Sequence, residues 1–200
     1  GAFTILMICS LKEYKGVREF IGCAARLPSF NFRLVLNAGQ EEINRFFNGD
    51  KIPPNVTMYP AQVNVHRFYQ EADVVMNLSL PDRWVETFGM TILEAMYYRK
   101  PVIIPCVGGI TELVSDGQEG YRVNPRDIEE VSNQLSMLAT CPSLYERMSQ
   151  YAYKKARQFS PVAFAAGMSK IFEELAGRDI PVKNITVQPD LFNSSYAGKE

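Results

Sequence analysis

The sequence is poor in the residues on which several common chemistries rest. It holds one histidine, His66, and four cysteines, Cys9, Cys23, Cys106 and Cys141, with no Cys-x-x-Cys pair among them. A lone imidazole and scattered thiols do not build a zinc site. Three of the four cysteines stand in apolar surroundings, which predicts reduced, buried thiols and no disulfide framework. Basic residues are not in excess: 21 Lys and Arg stand against 22 Asp and Glu, for a net charge of -1. Without a cationic surplus to displace counterions, a nucleic-acid partner is excluded. No apolar run approaches the roughly 18 residues of a membrane helix, and no Asp-x-Asp pair occurs. Asn-x-Ser/Thr triplets at Asn55, Asn77, Asn184 and Asn193 are read as chance matches, with Asn77 buried. These absences together predict a cytoplasmic protein without a zinc site.

What is present is apolar and periodic. Two hundred residues, 46% of them hydrophobic, make one generous domain or two small ones. Short runs rich in Val, Ile, Leu and Met predict strands at 3–9, 32–37, 56–59, 73–78, 101–105 and 120–123. Several are continuous, as in strands covered on both faces of a parallel sheet. Amphipathic stretches predict helices at 16–27, 40–47, 64–71, 89–98, 109–115, 127–139, 143–158 and 161–176. The alternation points to a Rossmann-like, doubly wound α/β domain over 1–177, followed by a polar tail over 178–200. Asp127, with Glu130 three residues on, is an expected N-cap. An apolar strand starting at Phe3 predicts a chain cut from a longer protein, with Gly1 the scar of a tag.

The densest chemistry lies at residues 86–94, Glu-Thr-Phe-Gly-Met-Thr-Ile-Leu-Glu. A glycine before a helix lets a ligand approach the backbone, and the helix start offers unpaired amides to a phosphate. Glu94 falls more than one turn inside that helix with its Cβ tilted back toward the N-terminus. A carboxylate there suits a neutral diol, such as the 2′,3′-hydroxyls of a ribose. Glu86, before the turn, meets the group beyond the phosphates. The pattern fits one extended ligand: nucleoside, diphosphate, then a second hydroxylated group. Taken alone, the two glutamates equally fit a loop carboxylate and a helix residue paired with Arg99 or Lys100.

The surrounding features narrow the choice. Lys15-Gly16 follows the first strand, and Ala72-Asp73-Val74-Val75 opens the fourth. The loop Ser79 to Val85, with Trp84, leads into Glu-x-Phe-Gly-x-x-x-x-Glu-Ala-Met, then Pro101 to Pro105. Gly108-Gly109-Ile110-Thr111-Glu112, Asp116-Gly117-x-x-Gly120-Tyr121 and Phe159-Ser160 complete the series. From about residue 3 to about 175 it resembles the donor-binding half of family 4 glycosyltransferases, which have the GT-B fold.

The resemblance implies a nucleotide-diphospho-sugar as donor and retaining transfer to an acceptor hydroxyl. Glu86 and Lys15 would be the catalytic pair, Glu86 on sugar hydroxyls and Lys15 on the diphosphate. Ser10, Thr87, Phe88, Gly89, Met90 and Thr91 would line the donor, and Glu94 would take the ribose diol. Gly108-Gly109 would shape a turn near the site, and Glu112 would be structural. A base pocket is expected near Met58-Tyr59-Pro60-Ala61-Gln62, with Tyr59 either stacking or in the core. Trp84 either lines the sugar pocket or packs its loop. The Met90-Leu93-Met96-Tyr97 stripe is expected in the core. No metal or other cofactor is implied. The acceptor, a glycan or lipid, would be held by an N-terminal domain absent from this chain, which would also make any contact with the inner face of a membrane. The fragment alone is therefore expected to be inactive.

One position departs from the pattern. Where the family carries an Arg after the first strand, this chain reads Cys9-Ser10-Leu11. Lys12, Arg18 and Arg83 are the candidates to replace the lost charge. A non-catalytic binding or scaffold module is the alternative this departure favours. A nucleotide-sugar epimerase is a further one, disfavoured by the single His66.

Overall fold

The structure, a computed structural model, describes residues 1–159. Six strands form one parallel sheet: β1 Thr4–Cys9, β2 Asn31–Leu36, β3 Val56–Tyr59, β4 Val74–Met76, β5 Val102–Pro105 and β6 Gly120–Val123. Their order across the sheet is β3-β2-β1-β4-β5-β6. The chain winds outward from β1 to β3 and then crosses back, placing β4 on the other flank of β1. This is the doubly wound order with its topological switch between β1 and β4.

The continuous apolar runs divide by alternation onto two faces. Ile5, Met7, Leu34, Leu36, Val74, Met76 and Ile103 enter one core, closed by Val17 and Phe20 of α1 (Val17–Arg26) and Val131, Leu135 and Leu138 of α5 (Ile128–Thr140). Leu6, Val35, Val75, Val102 and Ile104 enter the other. That side is closed by Phe68 and Tyr69 of α3 (His66–Glu71), Ile92, Ala95 and Met96 of α4 (Met90–Tyr97), and Ala152 and Ala156 of α6 (Pro142–Ala156). The central strands are thus covered on both sides, whereas the edge strand β3 keeps Thr57 exposed, and helix α2 (Gln40–Phe46) adds Ile43 to the first core.

Local chemistry sets the boundaries. Gly16 begins α1 in the left-handed region at φ 74, pressed so close to the chain that a Cβ would stand 2.1 Å from the Leu78 carbonyl oxygen. Asn64 accepts from the His66 amide at 2.9 Å, so α3 starts two residues later than the pattern implies. Asp127 caps α5 by accepting from the Glu130 amide at 2.9 Å, as expected.

Three expectations are corrected. The stretch 109–115 forms only a 3-10 turn, Gly109–Glu112. Its carbonyls are claimed from outside: Arg122 donates Nε to Val114 O and Nη2 to Thr111 O, each at 2.6 Å. Met90 and Tyr97 are 58% and 38% exposed, so only Leu93 and Met96 of their stripe belong to the core. Of the cysteines, Cys106 and Cys141 are exposed and Cys9 is half-buried, which leaves only Cys23 fully inside. The expected helix at 161–176, the polar tail and Ser160 lie outside the described residues.

Candidate functional site

A cavity of about 230 Å³ opens at the carboxyl ends of β1 and β4, where the strand order reverses. Its wall comes from four short segments. The end of β1 gives Met7, Ile8, Cys9 and Ser10, and the turn before α1 gives Lys15. Asn77 and Ser79 follow β4, and Glu86, Gly89, Met90 and Thr91 surround the start of α4. Six of the nine candidate residues therefore meet at one place: Ser10, Lys15, Glu86, Gly89, Met90 and Thr91. Thr87, Phe88 and Glu94 do not line this cavity.

Lys15 and Glu86, 71 residues apart, form its charged centre: Lys15 Nζ lies 2.7 Å from Glu86 Oε2. The same oxygen accepts from Asn77 Nδ2 at 3.3 Å and from Ser79 Oγ at 3.2 Å. Burial works to raise the Glu86 carboxyl, but the Lys15 ammonium, with Asn77 and Ser79, outweighs it and holds the group below the usual carboxylate range. Burial pushes the neighbouring Cys9 thiol up to about 12 against the pull of Lys15, so it stays protonated and inert. Above the pair, Tyr14 and Trp84 stack with ring centroids 5.3 Å apart, and Lys15 Nζ stands 5.5 Å from the Trp84 ring. Trp84 is 45% exposed. It packs its loop onto Tyr14 and does not line the cavity.

The start of α4 is open. Gly89 sits at φ 82, and its carbonyl accepts from the Ile92 and Leu93 amides at 3.0 and 3.1 Å. The Met90 and Thr91 amides are left without an acceptor among the described residues, as the first donors of a helix are. The second glycine turn braces this segment. A Cβ on Gly108 would meet Glu86 O at 2.5 Å, and one on Gly109 would meet Thr87 O at 1.9 Å. The pair packs directly on the backbone that carries Glu86. Glu112 is exposed and does not line the cavity.

Glu94, half-buried on α4, pairs with neither Arg99 nor Lys100: its Oε2 accepts the Tyr69 hydroxyl at 2.6 Å. Tyr59 is half-buried with its ring edge-on to Phe68, centroids 4.9 Å apart. None of the three cations proposed to replace the missing Arg reaches the cavity. Arg18 instead binds Glu13 and Asp50, and Lys12 and Arg83 are exposed. Lys15 is the single cationic side chain in the wall. Sequence reasoning missed Asn77, Ser79 and Tyr69. The first two had a signal, since polar residues just past a buried strand at the switch point fall where ligands bind. Tyr69 had none.

A parallel sheet in this order, with a polar cavity at its switch point, defines a Rossmann-like α/β domain of the kind that makes one half of a GT-B glycosyltransferase. Residues 1–155 match the family described as Glycosyl transferases group 1, and the chain belongs to that family. It is 26% identical over 181 residues to an uncharacterized glycosyltransferase of Haemophilus influenzae, covering 87% of this chain and 48% of that protein. It is 34% identical over 132 residues to the D-inositol 3-phosphate glycosyltransferase of Kribbella flavida, covering 66% of this chain and 28% of that one. The chain spans half or less of the curated relatives it matches. Among solved structures, Anabaena HepE in complex with UDP and glucose superposes with a TM-score of 0.75 at 22% identity, over 86% of this chain and 48% of HepE. The C-terminal domain of a group 1 glycosyl transferase from Francisella tularensis superposes at 0.64 and 21% identity, over 78% of this chain and 85% of that domain. The doubly wound α/β domain expected from the residues, and the GT-B half implied by the resemblance, are the fold observed. Among the described residues no helix is long and apolar enough to cross a membrane.

Proposed function

We propose that this domain binds a nucleoside-diphosphate sugar across the carboxyl ends of β1 and β4 and supplies the donor half of a retaining, metal-independent glycosyl transfer. The observation that carries this is the convergence of Ser10, Lys15, Glu86 and the first amides of α4 on one cavity. The α4 amides and helix dipole suit an anionic diphosphate. Lys15 has three donor hydrogens and spends one on Glu86, so two remain for phosphate oxygens. Glu86 has Oε2 tied to three donors, and Oε1 is left to accept a sugar hydroxyl. Glu94 takes the ribose diol at the other end.

In the reaction an acceptor hydroxyl attacks the anomeric carbon while the bond to the diphosphate breaks, with configuration retained. Lys15 and the amides stabilise the negative charge that grows on the departing nucleoside diphosphate. No metal is needed for that role. The acceptor, a glycan or lipid, is held by a further domain, so this chain alone binds donor weakly and transfers almost nothing. Calorimetry with UDP-, GDP- and ADP-sugars in EDTA tests the reading. UDP-glucose belongs in the panel because HepE is described in complex with it. Silence of every donor at millimolar concentration, with the fold intact, rejects it.

Ser10 in place of a cation favours a second reading, a binding or scaffold module that keeps the fold without turnover. Activity of a longer chain carrying this domain on any acceptor separates the two.

A further inference from the structure

We propose that Tyr69 is a positioning residue for nucleoside recognition: its hydroxyl anchors one oxygen of Glu94 and leaves the other to meet the ribose diol. The inference rests on the reading of Glu94 given above and adds the group that makes it work.

Tyr69 is 1% exposed, in the last turn of α3. Its ring stacks on Tyr98, centroids 5.4 Å apart and planes 16° from parallel. Tyr98 is itself tied through its hydroxyl to His66 Nδ1. The phenol therefore has little freedom to turn, and its hydroxyl donates to Glu94 Oε2 at 2.6 Å, a short charge-assisted bond. Burial, then the Glu94 carboxylate, pushes the phenol's ionisation upward, so it remains a donor at neutral pH.

Glu94 has no cation beside it among the described residues. Arg99 lies over the Tyr153 ring at 4.5 Å, and Lys100 Nζ donates to Gln70 O at 3.2 Å. A carboxylate held by a neutral hydroxyl keeps its full accepting power for neutral donors, which a ribose diol provides in a pair. Oε1 makes no hydrogen bond to any described residue. Without the Tyr69 hydroxyl the carboxylate is free to rotate, and each ligand bond must then restrain it first.

The test titrates UDP, GDP and ADP, and their 2′,3′-dideoxy counterparts, into the 200-residue chain and into Tyr69→Phe, Glu94→Ala and the double variant, with circular dichroism reporting the fold. Tyr69→Phe is expected to weaken the ribonucleotide that binds by about tenfold and to leave its dideoxy counterpart unchanged. Equal weakening of both, or of neither, overturns the proposal, because a packing role does not distinguish them. In the Glu94→Ala background, where no acceptor remains for the Tyr69 hydroxyl to hold, the Phe substitution is expected to add nothing; a further loss there also overturns it, and where the single variant unfolds, the double variant, which strands no carboxylate, carries the comparison. Wild-type protein that binds ribo and dideoxy forms equally removes the diol reading itself. Wild-type protein that prefers the ribo form, with Tyr69→Phe behaving like wild type, removes only the role of Tyr69.

Discussion

Lys15 Nζ and Glu86 Oε2 lie 2.7 Å apart, joining the turn after β1 to the loop before α4 across the point where the sheet reverses its order. Both side chains are mostly buried, at 16% and 15% exposure, so the pair is not a surface ion pair of negligible worth. Removing one partner leaves the other charge partly desolvated. Lys15→Met keeps the aliphatic stem but strands Glu86 on two neutral donors. We expect a loss of about 1–2 kcal/mol in urea unfolding, against less than about 1 kcal/mol for Glu86→Gln, whose amide oxygen still accepts. Binding separates the roles further. Lys15→Met should weaken a nucleoside diphosphate about 10- to 100-fold. Glu86→Gln should weaken the diphosphate little and the intact nucleotide sugar more. Equal effects of both variants on both ligands would contradict the assignment of Lys15 to the diphosphate and Glu86 to the sugar.

Acid should undo the same pair. The Glu86 carboxyl is held below its ordinary range in the folded protein, whereas in the unfolded chain it titrates near 4.3. Its contribution is fully present above that value and disappears as pH falls through the lower folded one. The wild-type protein should therefore lose stability on the acid side of about pH 4 more steeply than Glu86→Gln. Unfolding free energies measured from pH 7 down to the acid limit of the fold check this. Parallel curves would mean that the shift carries no stability.

The backbone of the site tolerates less than its side chains. Gly16 and Gly89 both adopt positive φ, at 74 and 82, but what a methyl group would strike differs. At Gly16 it meets the Leu78 carbonyl oxygen at 2.1 Å, a backbone atom that cannot move aside. At Gly89 it meets Ile110 Cδ1 and Cγ1, each at 2.6 Å, the outer part of a side chain. Gly16→Ala should cost about 3 kcal/mol or more. Gly89→Ala should cost about 1–3 kcal/mol, part of which Ile110→Ala should recover by removing both struck atoms. Thermal unfolding of the three variants and the double variant gives the comparison, and a Gly89→Ala cost unaffected by Ile110→Ala would assign all of it to backbone strain.

How much of this was legible follows from sequence distance. The strands were readable because each is a short apolar run, and runs such as Val102 to Ile104 leave little choice but burial on both faces. The α4 turn was readable because Gly89 and both glutamates lie within nine consecutive residues. The partners of those glutamates were not readable. Tyr69 reaches Glu94 from 25 residues away, from a helix whose periodicity marks it only as core. Asn77 and Ser79 reach Glu86 over nine and seven residues, but through a loop whose path no local pattern fixes. The 109–115 segment misled for a related reason. Its pattern was helical, but Arg122, 11 residues beyond Thr111, takes the Thr111 carbonyl, and Glu119 takes the Ser115 amide that a helix would have paired with it.

Trp84 is the only tryptophan in the chain, and it stands 5.5 Å from the Lys15 ammonium while stacked on Tyr14. A cation over the indole face perturbs its excited state, and a phosphate that draws Lys15 toward the start of α4 changes that contact. Donor binding should therefore alter the intrinsic fluorescence of the wild-type protein, saturating at the affinity found by calorimetry. The change should vanish in Lys15→Met, where no ammonium remains to move, and persist in Tyr14→Phe, which keeps the stack. Because the signal depends on a charge contact with an anion, it should shift to higher ligand concentration as salt rises. A fluorescence change that survives Lys15→Met at the same amplitude would show that the indole senses the ligand or its loop directly, returning Trp84 to the wall of the sugar pocket.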